Sequence, residues 1–158
     1  MGRVVSQNEL VPIIGQAKSD GRRIVITNGC FDLLHPGHIQ LLEAARDLGD
    51  VLVVALNTDR SVRENKGATR PIVAEADRAE VVAALAAVDY VVLFDEPTPR
   101  KIISRLLPDV LVKGSDWGAD DIVGREEVEA AGGRVVLLPL APGFSTSSIL
   151  ERVAKLSS

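Results

Sequence analysis

The sequence predicts an α/β fold, a three-layer doubly wound sheet of five parallel strands. Short β-branched runs alternate with longer stretches of helical periodicity, which is typical of a parallel sheet covered by helices. The run from Val51 to Leu56 (VLVVAL) is almost wholly apolar, as expected of a strand buried on both faces. Right-handed crossovers then predict the strand order 3-2-1-4-5, with a switch point between the first and fourth strands.

The elements follow one another regularly along the chain. Ser6 and Glu9 have the spacing of a capping box and mark the start of the first helix. Pro36 suits the first turn of the second helix, because its missing N–H would be unpaired there. The predicted helices are 6–20, 36–48, 76–88, 99–107, 121–131 and 147–155, and the predicted strands are 23–27, 51–56, 90–94, 110–112 and 134–138. The polar stretch 57–72 is predicted to be a long loop, and its length indicates a functional role.

Composition narrows the function classes. The 158 residues are expected to form a single domain, 1–158, with 46% apolar and 25% charged residues. The net charge of −4 argues against a nucleic-acid or anionic-membrane surface, and 3% aromatic residues argue against base stacking. The lone cysteine, Cys30, excludes a disulfide framework and a cysteine-only zinc site. The N-terminus lacks a signal-peptide core and no apolar run reaches membrane length, so we expect a cytoplasmic protein.

The polar loops after the first and fourth strands predict the position of a ligand site. In a doubly wound sheet, ligands bind beyond the carboxyl ends of the strands at the switch point. These loops, 28–38 and 113–118, are also the richest in polar, glycine and ionisable residues. The candidate residues in them are Asn28, Gly29, Cys30, Phe31, Asp32, Lys113, Gly114, Asp116 and Trp117.

Both histidines of the chain lie in the segment GCFDLLHPGH, at positions 35 and 38. Their i, i+3 spacing places both imidazoles on one side of a helix start, where N–H groups and the helix dipole favour a phosphate. Gly37 between them is expected to let a ligand come close to the backbone. The structural alternative is that one histidine caps the helix and the other fills a gap. A zinc site would need further ligands, and Asp32 is the only nearby candidate.

Two other segments have the chemistry of phosphate binding. Asn57, Asp59, Lys66, Arg70 and Arg78 lie in or after the long polar loop, and cations in such a loop can close over a triphosphate. Charged loops are also commonly just solvated. Before the last helix, Ser145, Thr146, Ser147 and Ser148 supply four hydroxyl groups in a row, more than helix capping needs.

The segment 29–38 resembles the HxGH signature of the cytidylyltransferase-like nucleotidyltransferases. The resemblance implies that His35 and His38 stabilise the pentacoordinate α-phosphate and that Asp32 lies near the phosphates and a magnesium ion. The family also has a KG…RP loop and a downstream arginine that contact substrate phosphates. The matching positions are Lys66, Arg70 and Arg78.

Residues 24–153 resemble the adenylyltransferase domain of the bacterial ADP-heptose synthesis enzymes. The similar segments are TNGCFDLLHPGHI, VALNTD, KGATRP, LLPDVLVKGSDW and GFSTSSI. The resemblance implies transfer of AMP from ATP to D-glycero-β-D-manno-heptose 1-phosphate, for the lipopolysaccharide core. It also implies Mg²⁺, a Rossmann-like nucleotidyltransferase fold, at least a dimer, and a sugar kinase that is a separate protein or a preceding domain. The chain has Ala141 to Phe144 where cytidylyltransferases have an arginine-threonine pair, which favours ATP over CTP.

These observations together predict an adenylyltransferase and assign its residues. A sugar phosphate oxygen is already anionic at neutral pH, so no general base is needed. The alternatives are a CTP- or ATP-dependent enzyme acting on glycerol 3-phosphate or FMN, and a non-catalytic nucleotide-binding module. The predicted catalytic residues are His35, His38 and Lys66. The predicted nucleotide-binding residues are Asn28, Gly29, Cys30, Phe31, Asp32, His35, Gly37, His38, Lys113, Gly114, Asp116, Ser145, Thr146 and Ser147. The predicted substrate-binding residues are Asp32, Asn57, Asp59, Lys66, Arg70, Arg78 and Trp117, with Asp32 as the magnesium ligand.

Overall fold

A computed structural model describes residues 2–115 and 121–157, in which six parallel strands form one sheet with helices on both faces. The strands are β1 (Arg3–Val4), β2 (Ile24–Gly29), β3 (Val51–Asn57), β4 (Tyr90–Phe94), β5 (Val110–Gly114) and β6 (Arg134–Leu138). The helices are α1 (Gln7–Ser19), α2 (Pro36–Arg46), α3 (Asp59–Lys66), α4 (Glu75–Ala83), α5 (Arg100–Leu106), α6 (Arg125–Ala130) and α7 (Thr146–Leu156). The predicted α/β class is confirmed.

The strand order is β1-β4-β3-β2-β5-β6. Its last five members have the order predicted from the crossovers, but the predicted number of five strands is wrong. The additional strand, β1, is only two residues long and pairs Arg3 with Tyr90 and Val4 with Val91 at the edge of the sheet. A two-residue strand has no periodicity that a sequence pattern can reveal.

The core consists of two apolar layers, one on each face of the sheet. Alternate residues of β3 point to opposite layers: Val53 and Ala55 belong to one, and Leu52 and Val54 to the other. Helices α1, α5 and α6 cover the first layer, and α2 and α4 cover the second. All seven residues of β3 are buried, as predicted for a central strand.

The stretch 57–72, predicted to be a loop, is half helical. Helix α3 begins after Thr58, whose hydroxyl accepts the N–H of Ser61 at 3.2 Å. It ends at Lys66 and is followed by the C-cap residue Gly67, whose φ is 100°. Its sequence, DRSVRENK, contains a single apolar residue, Val62, which is fully buried. One apolar residue gives no amphipathic periodicity, so the sequence pattern did not predict this helix.

Other predicted boundaries differ by a few residues. The capping box of α1 is confirmed, with the N–H of Glu9 bonded to Oγ of Ser6 at 3.1 Å. Helix α4 ends at Ala83 rather than at 88, and α6 begins at Arg125 rather than at 121. Alanine-rich and mixed polar sequence favours helix without fixing its end, and the ends depend on tertiary packing. Within the described residues, none of the helices combines the length and apolarity that a membrane span requires.

Strand β2 pairs with β3 on one side and β5 on the other, and this arrangement positions the site. The chain leaves β2 and β5 in opposite directions along the sheet, which opens a crevice beyond their carboxyl ends. The turn that follows β2 and the start of α2 lie at this crevice. The predicted switch point is therefore confirmed.

Candidate active site

Two cavities open at the carboxyl ends of the strands, and Cys30 and Lys66 line both of them. The strand-end cavity, of about 540 Å³, is lined by Asn28, Gly29, Cys30, Asn57, Asn65, Lys66, Pro97, Thr98, Pro99, Lys113, Asp121, Ile122 and Val123. The histidine cavity, of about 340 Å³, is lined by Cys30, Phe31, Asp32, His35, Gly37, His38, Leu41, Lys66, Arg70, Leu140, Ala141, Phe144, Ser145, Thr146 and Ser147. Most of the predicted site residues thus lie around two adjoining cavities.

Both histidines lie at the start of α2 and line the histidine cavity. His35 is the N-cap residue and His38 lies in the first turn, so their ring centroids are 3.9 Å apart. Pro36 occupies the first turn, as its missing N–H predicts. The predicted position of the pair on one side of a helix start is confirmed, and the catalytic role of the pair stays a prediction.

The hydrogen bond between the two histidines identifies the protonated nitrogen of His38. The backbone N–H of His35 donates to Nδ1 of His38 at 3.3 Å, so the neutral ring has its proton on Nε2. Burial, with a smaller effect of the neighbouring His35, lowers the pKa of His38 to about 4. Burial also lowers the pKa of His35. At neutral pH His38 is therefore an uncharged ring that offers an Nε2–H donor.

Neighbouring aromatic rings and Gly37 fix the position of the imidazoles. The ring of Phe31 lies 5.2 Å from that of His38, and the ring of Phe144 stacks on that of His35 with centroids 6.1 Å apart. A Cβ atom on Gly37 would lie 2.8 Å from Cε1 of His35 and 3.3 Å from Cβ of Phe144. The close approach that requires glycine is thus made by the His35 ring, whereas the sequence predicted that a ligand made it.

The start of α7 forms another wall of the histidine cavity. Ser145 is the N-cap residue, and its Oγ accepts the N–H of Ser148 at 3.0 Å. The hydroxyl of Thr146 donates to the carbonyl of Leu33 at 2.9 Å and so ties α7 to the turn after β2. Of the three residues predicted to bind the nucleotide here, Ser145 and Thr146 therefore use their hydroxyl groups in bonds within the protein. Ser147 and the positive end of the helix dipole stay available to an anion in the cavity.

Asp32 and Arg70 form an ion pair at the edge of the histidine cavity. Nε of Arg70 donates to Oδ2 of Asp32 at 3.1 Å, and the exposed fractions of the two side chains are 16% and 1%. The N–H groups of Ile72 and Val73 donate to the same carboxylate. Burial by itself would raise the pKa of Asp32, but these N–H groups and the Arg70 guanidinium together hold the pKa below its usual value. Asp32 is therefore a fully engaged anion.

Lys66 is the last residue of α3 and has an exposed side chain. Within residues 2–115 and 121–157, its ammonium group has no hydrogen-bond or ion-pair partner. The helix itself is attached to the β4–α5 connection, because Ser61 Oγ donates to the carbonyl of Glu96 at 2.7 Å and Asn65 Nδ2 to that of Pro97 at 3.0 Å. Lys66 therefore projects a free cation from a fixed helix end into the boundary between the cavities.

Arg78 does not line either cavity, although the resemblance placed it against substrate phosphates. Its side chain is fully buried, and its guanidinium donates to the carbonyls of Val73, Cys30 and Asn57 and to the carboxylate of Asp59 at 2.7–2.9 Å. Arg78 therefore joins the ends of β2 and β3 to the segment before α4. Asp59, which holds this ion pair through Oδ1, also lines neither cavity.

The strand-end cavity contains the other predicted residues of the sheet edge. Lys113 Nζ donates to the carbonyl of Asn28 at 3.3 Å, and the thiol of Cys30 donates to Oδ1 of Asn57 at 3.7 Å. Burial raises the pKa of Cys30, which keeps the thiol protonated at neutral pH. Gly114 ends β5 without lining either cavity. The predicted residues Asp116 and Trp117 lie outside the described residues.

Sequence reasoning missed three polar residues that line the strand-end cavity. Asn65, Thr98 and Asp121 add an amide, a hydroxyl and a carboxylate to its lining. None of them lies in a recognisable motif. The sheet topology could have indicated them, because in a parallel sheet the connection after every strand starts on the same side as the one after β2.

Comparison with known proteins places this site in a family. The sequence profile described as cytidylyltransferase-like matches residues 26–152, which include both histidines and the start of α7. The chain belongs to the cytidylyltransferase-like family. As a member of that family, it is a nucleotidyltransferase. The strand–turn–helix segment with His35 and His38 is the part of the fold that supplies the family's HxGH signature.

Several similar proteins are known at the level of sequence and structure. The chain is 55% identical over 150 residues to "Bifunctional protein HldE" of Koribacter versatilis and 53% identical over 151 residues to the protein of that name in Citrifermentans bemidjiense. These matches cover 95% and 96% of the chain but only 31% of each relative. The crystal structure of a lipopolysaccharide core biosynthesis protein from Thermoplasma volcanium is 31% identical, with a TM-score of 0.63. That match covers 77% of this chain and 98% of the other.

Proposed function

We propose that this member of the cytidylyltransferase-like family transfers AMP from ATP to a heptose 1-phosphate, giving ADP-heptose and pyrophosphate. The observation that supports this proposal most is the histidine pair at the start of α2, which lines a cavity together with Arg70, Lys66 and the start of α7. The choice of sugar substrate rests on the resemblance to ADP-heptose synthesis enzymes, and the name of the structural relative, a lipopolysaccharide core biosynthesis protein, agrees with it. Loss of the arginine-threonine pair before Phe144 supports ATP as the nucleotide.

The two adjoining cavities support a division of the substrates. The histidine cavity has the donors that suit a triphosphate, namely Nε2–H of His38, the guanidinium of Arg70 and the N–H groups at the start of α7. The strand-end cavity has amide, hydroxyl and carboxylate groups, which suit the hydroxyls of a sugar, and its volume is in the range of small-ligand sites. This division moves Asn28, Gly29 and Lys113 from the nucleotide, which the sequence predicted, to the sugar. Lys66 lies at both cavities and would contact phosphates of both substrates.

The proposed reaction needs alignment and charge neutralisation rather than a base. An oxygen of the sugar phosphate attacks the α-phosphorus of ATP, and the bond from that phosphorus to the β-phosphate oxygen breaks, so that pyrophosphate leaves. The attacking oxygen is already anionic and has no proton to remove. His38 and His35 would stabilise the charge on the α-phosphate oxygens, and Lys66 would neutralise the departing and attacking phosphates.

The magnesium ligand predicted at Asp32 does not fit the geometry. Both carboxylate oxygens already accept N–H groups, and a guanidinium lies 3.1 Å from one of them. Among residues 2–115 and 121–157, no group of three histidine, cysteine or acidic side chains is arranged to hold a metal ion. No step of the reaction is therefore assigned to a metal held by the protein.

We further propose a cytoplasmic homo-oligomer that receives its sugar phosphate from a sugar kinase. The relatives named as bifunctional are about three times as long as this chain, which leaves room in them for a second activity. The kinase would act before the present reaction, because it must supply the anomeric phosphate that attacks ATP.

Pyrophosphate release across a grid of substrates tests the proposal. ATP and CTP are each combined with D-glycero-β-D-manno-heptose 1-phosphate, glycerol 3-phosphate and FMN, with the His38→Ala variant as the control for contaminating activity. We expect release to be highest with ATP and the heptose phosphate, and mass spectrometry to detect ADP-heptose. Higher kcat/KM with CTP, or with another acceptor, would contradict the substrate assignment. Release in none of the six combinations would favour a nucleotide-binding module instead.

A further inference from the structure

The carboxylate of Asp32 is engaged entirely by the segment that connects α3 to α4. Oδ1 accepts the N–H groups of Ile72 and Val73 at 3.1 and 2.9 Å. Oδ2 accepts the N–H of Ile72 at 2.9 Å and Nε of Arg70 at 3.1 Å. Three N–H donors, one of them shared between both oxygens, therefore occupy most of the about four lone-pair directions of the carboxylate. A metal ion at Asp32 would have to displace them and approach a guanidinium.

The turn after β2 presents Asp32 to this segment. Phe31 has a φ of 46°, in the left-handed region that bulky residues rarely adopt. Phe31 is buried, and its ring lies against the ring of His38. Burial of the Phe31 ring holds the turn in this conformation, which directs the next side chain, Asp32, inward, where it is 1% exposed. The turn thus connects the histidine pair and the 67–73 segment through adjacent residues.

Residues 67–73, the segment between α3 and α4, have few other contacts that hold them in place. Residues 67–69 are exposed, and Ile72, its only large apolar residue apart from Val73, is 54% exposed. A segment without buried apolar side chains depends on its polar contacts for its position. Apart from the bond between the Val73 carbonyl and Arg78, the described side-chain contacts of residues 70–73 are those with Asp32.

We propose that Asp32 is a positioning residue, which holds Arg70 and the 70–73 segment against the histidine cavity and does not bind magnesium. The contacts described above fix the segment at three points along four consecutive residues, and Arg70 lines the cavity while it bonds to Asp32. The part of the inference that concerns turnover rests on the proposed nucleotidyl transfer. The part that concerns the position of the segment does not.

The variants Asp32→Asn and Asp32→Ala test this role, with Asp89→Asn and Asp89→Ala as matched controls. Asp89 also pairs with an arginine, Arg46, at 2.9 Å and accepts a backbone N–H, that of Leu52, at 2.8 Å. It lies at the amino ends of the strands, away from both cavities. We expect hydrogen exchange of the Ile72 and Val73 amides in the ligand-free protein to accelerate at least about tenfold in Asp32→Ala. The Asp89 variants should leave these two amides unchanged.

The kinetic measurements distinguish a positioning residue from a metal ligand. Displacement of Arg70 by about 1 Å should lower kcat/KM for ATP about 100-fold in Asp32→Ala, and Asp32→Asn, which keeps one acceptor, should lose less. The double variant of Asp32→Ala with Arg70→Ala should be about as active as Arg70→Ala, because both changes remove one function. The Mg²⁺ concentration that gives half-maximal rate should stay within about twofold of wild type, whereas loss of a metal ligand should raise it at least about tenfold.

Three results would overturn the inference. One is unchanged exchange of the Ile72 and Val73 amides in Asp32→Ala, and another is a strongly raised Mg²⁺ requirement in both Asp32 variants. The third is a double variant whose losses multiply. If wild type releases no pyrophosphate, the proposed function fails, and amide exchange in Asp32→Ala, compared with the Asp89 controls, still decides whether Asp32 holds the segment.

Discussion

Replacement of His38 by glutamine and by asparagine separates the roles of its two ring nitrogens. Nδ1 accepts the backbone N–H of His35 at 3.3 Å, and the ring lines the histidine cavity with its Nε2–H donor. The amide nitrogen of glutamine reaches about as far as Nε2, and the amide group of asparagine about as far as Nδ1. We therefore expect His38→Gln to keep the donor toward the ligand and His38→Asn to keep the acceptor for the helix start.

The magnitude follows from the neutral state of the ring. A pKa of about 4 means that His38 acts as an uncharged donor at neutral pH, so an uncharged amide can replace it. One preorganised donor to a developing anion contributes about 2.7–4 kcal/mol, or 100- to 1,000-fold in kcat. His38→Asn and His38→Ala should lose about that factor, and His35→Ala should lose a similar one. His38→Gln should stay within about tenfold of wild type.

The assay is pyrophosphate release at saturating ATP and heptose 1-phosphate, with thermal unfolding measured on the same samples. The KM for ATP should change less than about threefold, because the donor acts mainly in the transition state. Each variant also loses the ring contact between His38 and Phe31, and thermal unfolding shows how far this loss lowers the stability of the protein. Greater activity in His38→Asn than in His38→Gln would refute the assignment of the donor to Nε2. Near-normal turnover in all three His38 variants would refute a catalytic role altogether.

Three further predictions concern protonation, the free lysine and the buried arginine. The chain has only two histidines, so their ring signals in NMR are easily followed; that of His38 should show no titration between pH 8 and about 5. Because its pKa is about 4 in the folded state and 6.5 in the unfolded state, the unfolding free energy should fall as the pH drops from 6.5 to 4, and less so in His38→Gln. Lys66→Ala should reduce kcat/KM strongly but change the unfolding free energy by less than about 0.5 kcal/mol, since the side chain is exposed. A clear fall in the unfolding free energy together with the loss of activity would instead show that Lys66 has a structural role. Arg78→Ala should lower the unfolding free energy in urea by about 3 kcal/mol, since it leaves three carbonyls and Asp59 unpaired; a change below 1 kcal/mol would contradict the role assigned to Arg78.

The sequence predicted that the long polar stretch 57–72 closes over a triphosphate, and the structure restricts the residues that could move. Residues 59–66 are helical and bonded to the β4–α5 connection, so their amides should be protected from exchange with and without ATP. Any ATP-dependent gain of protection should be confined to residues 67–73. Equal exchange of 67–73 in both states would leave no closing segment in this region.

Residue patterns along the chain were sufficient to predict the sheet, the switch point and the position of the histidine pair. Apolar runs of strand length and right-handed crossovers leave few topologies, and the i, i+3 spacing after Pro36 fixes the side of the helix on which the two rings lie. These are local or chiral constraints, which act within a few residues of the chain. The two-residue β1 and the polar helix α3 escaped because neither has a periodic apolar pattern.

The residue patterns did not predict which polar side chains line a cavity and which are bonded within the protein. In the sequence, Lys66, Arg70 and Arg78 are three equivalent cations, and Asp32 and Asp59 are two equivalent acids. In the folded chain, Arg78 is bonded to backbone carbonyls from three separate segments, and Asp32 accepts N–H groups from residues 70–73. Of these five side chains, only that of Lys66 has no polar partner among the described residues. The physical reason is that a buried charge must be matched by partners, and those partners come from parts of the chain that only folding brings together.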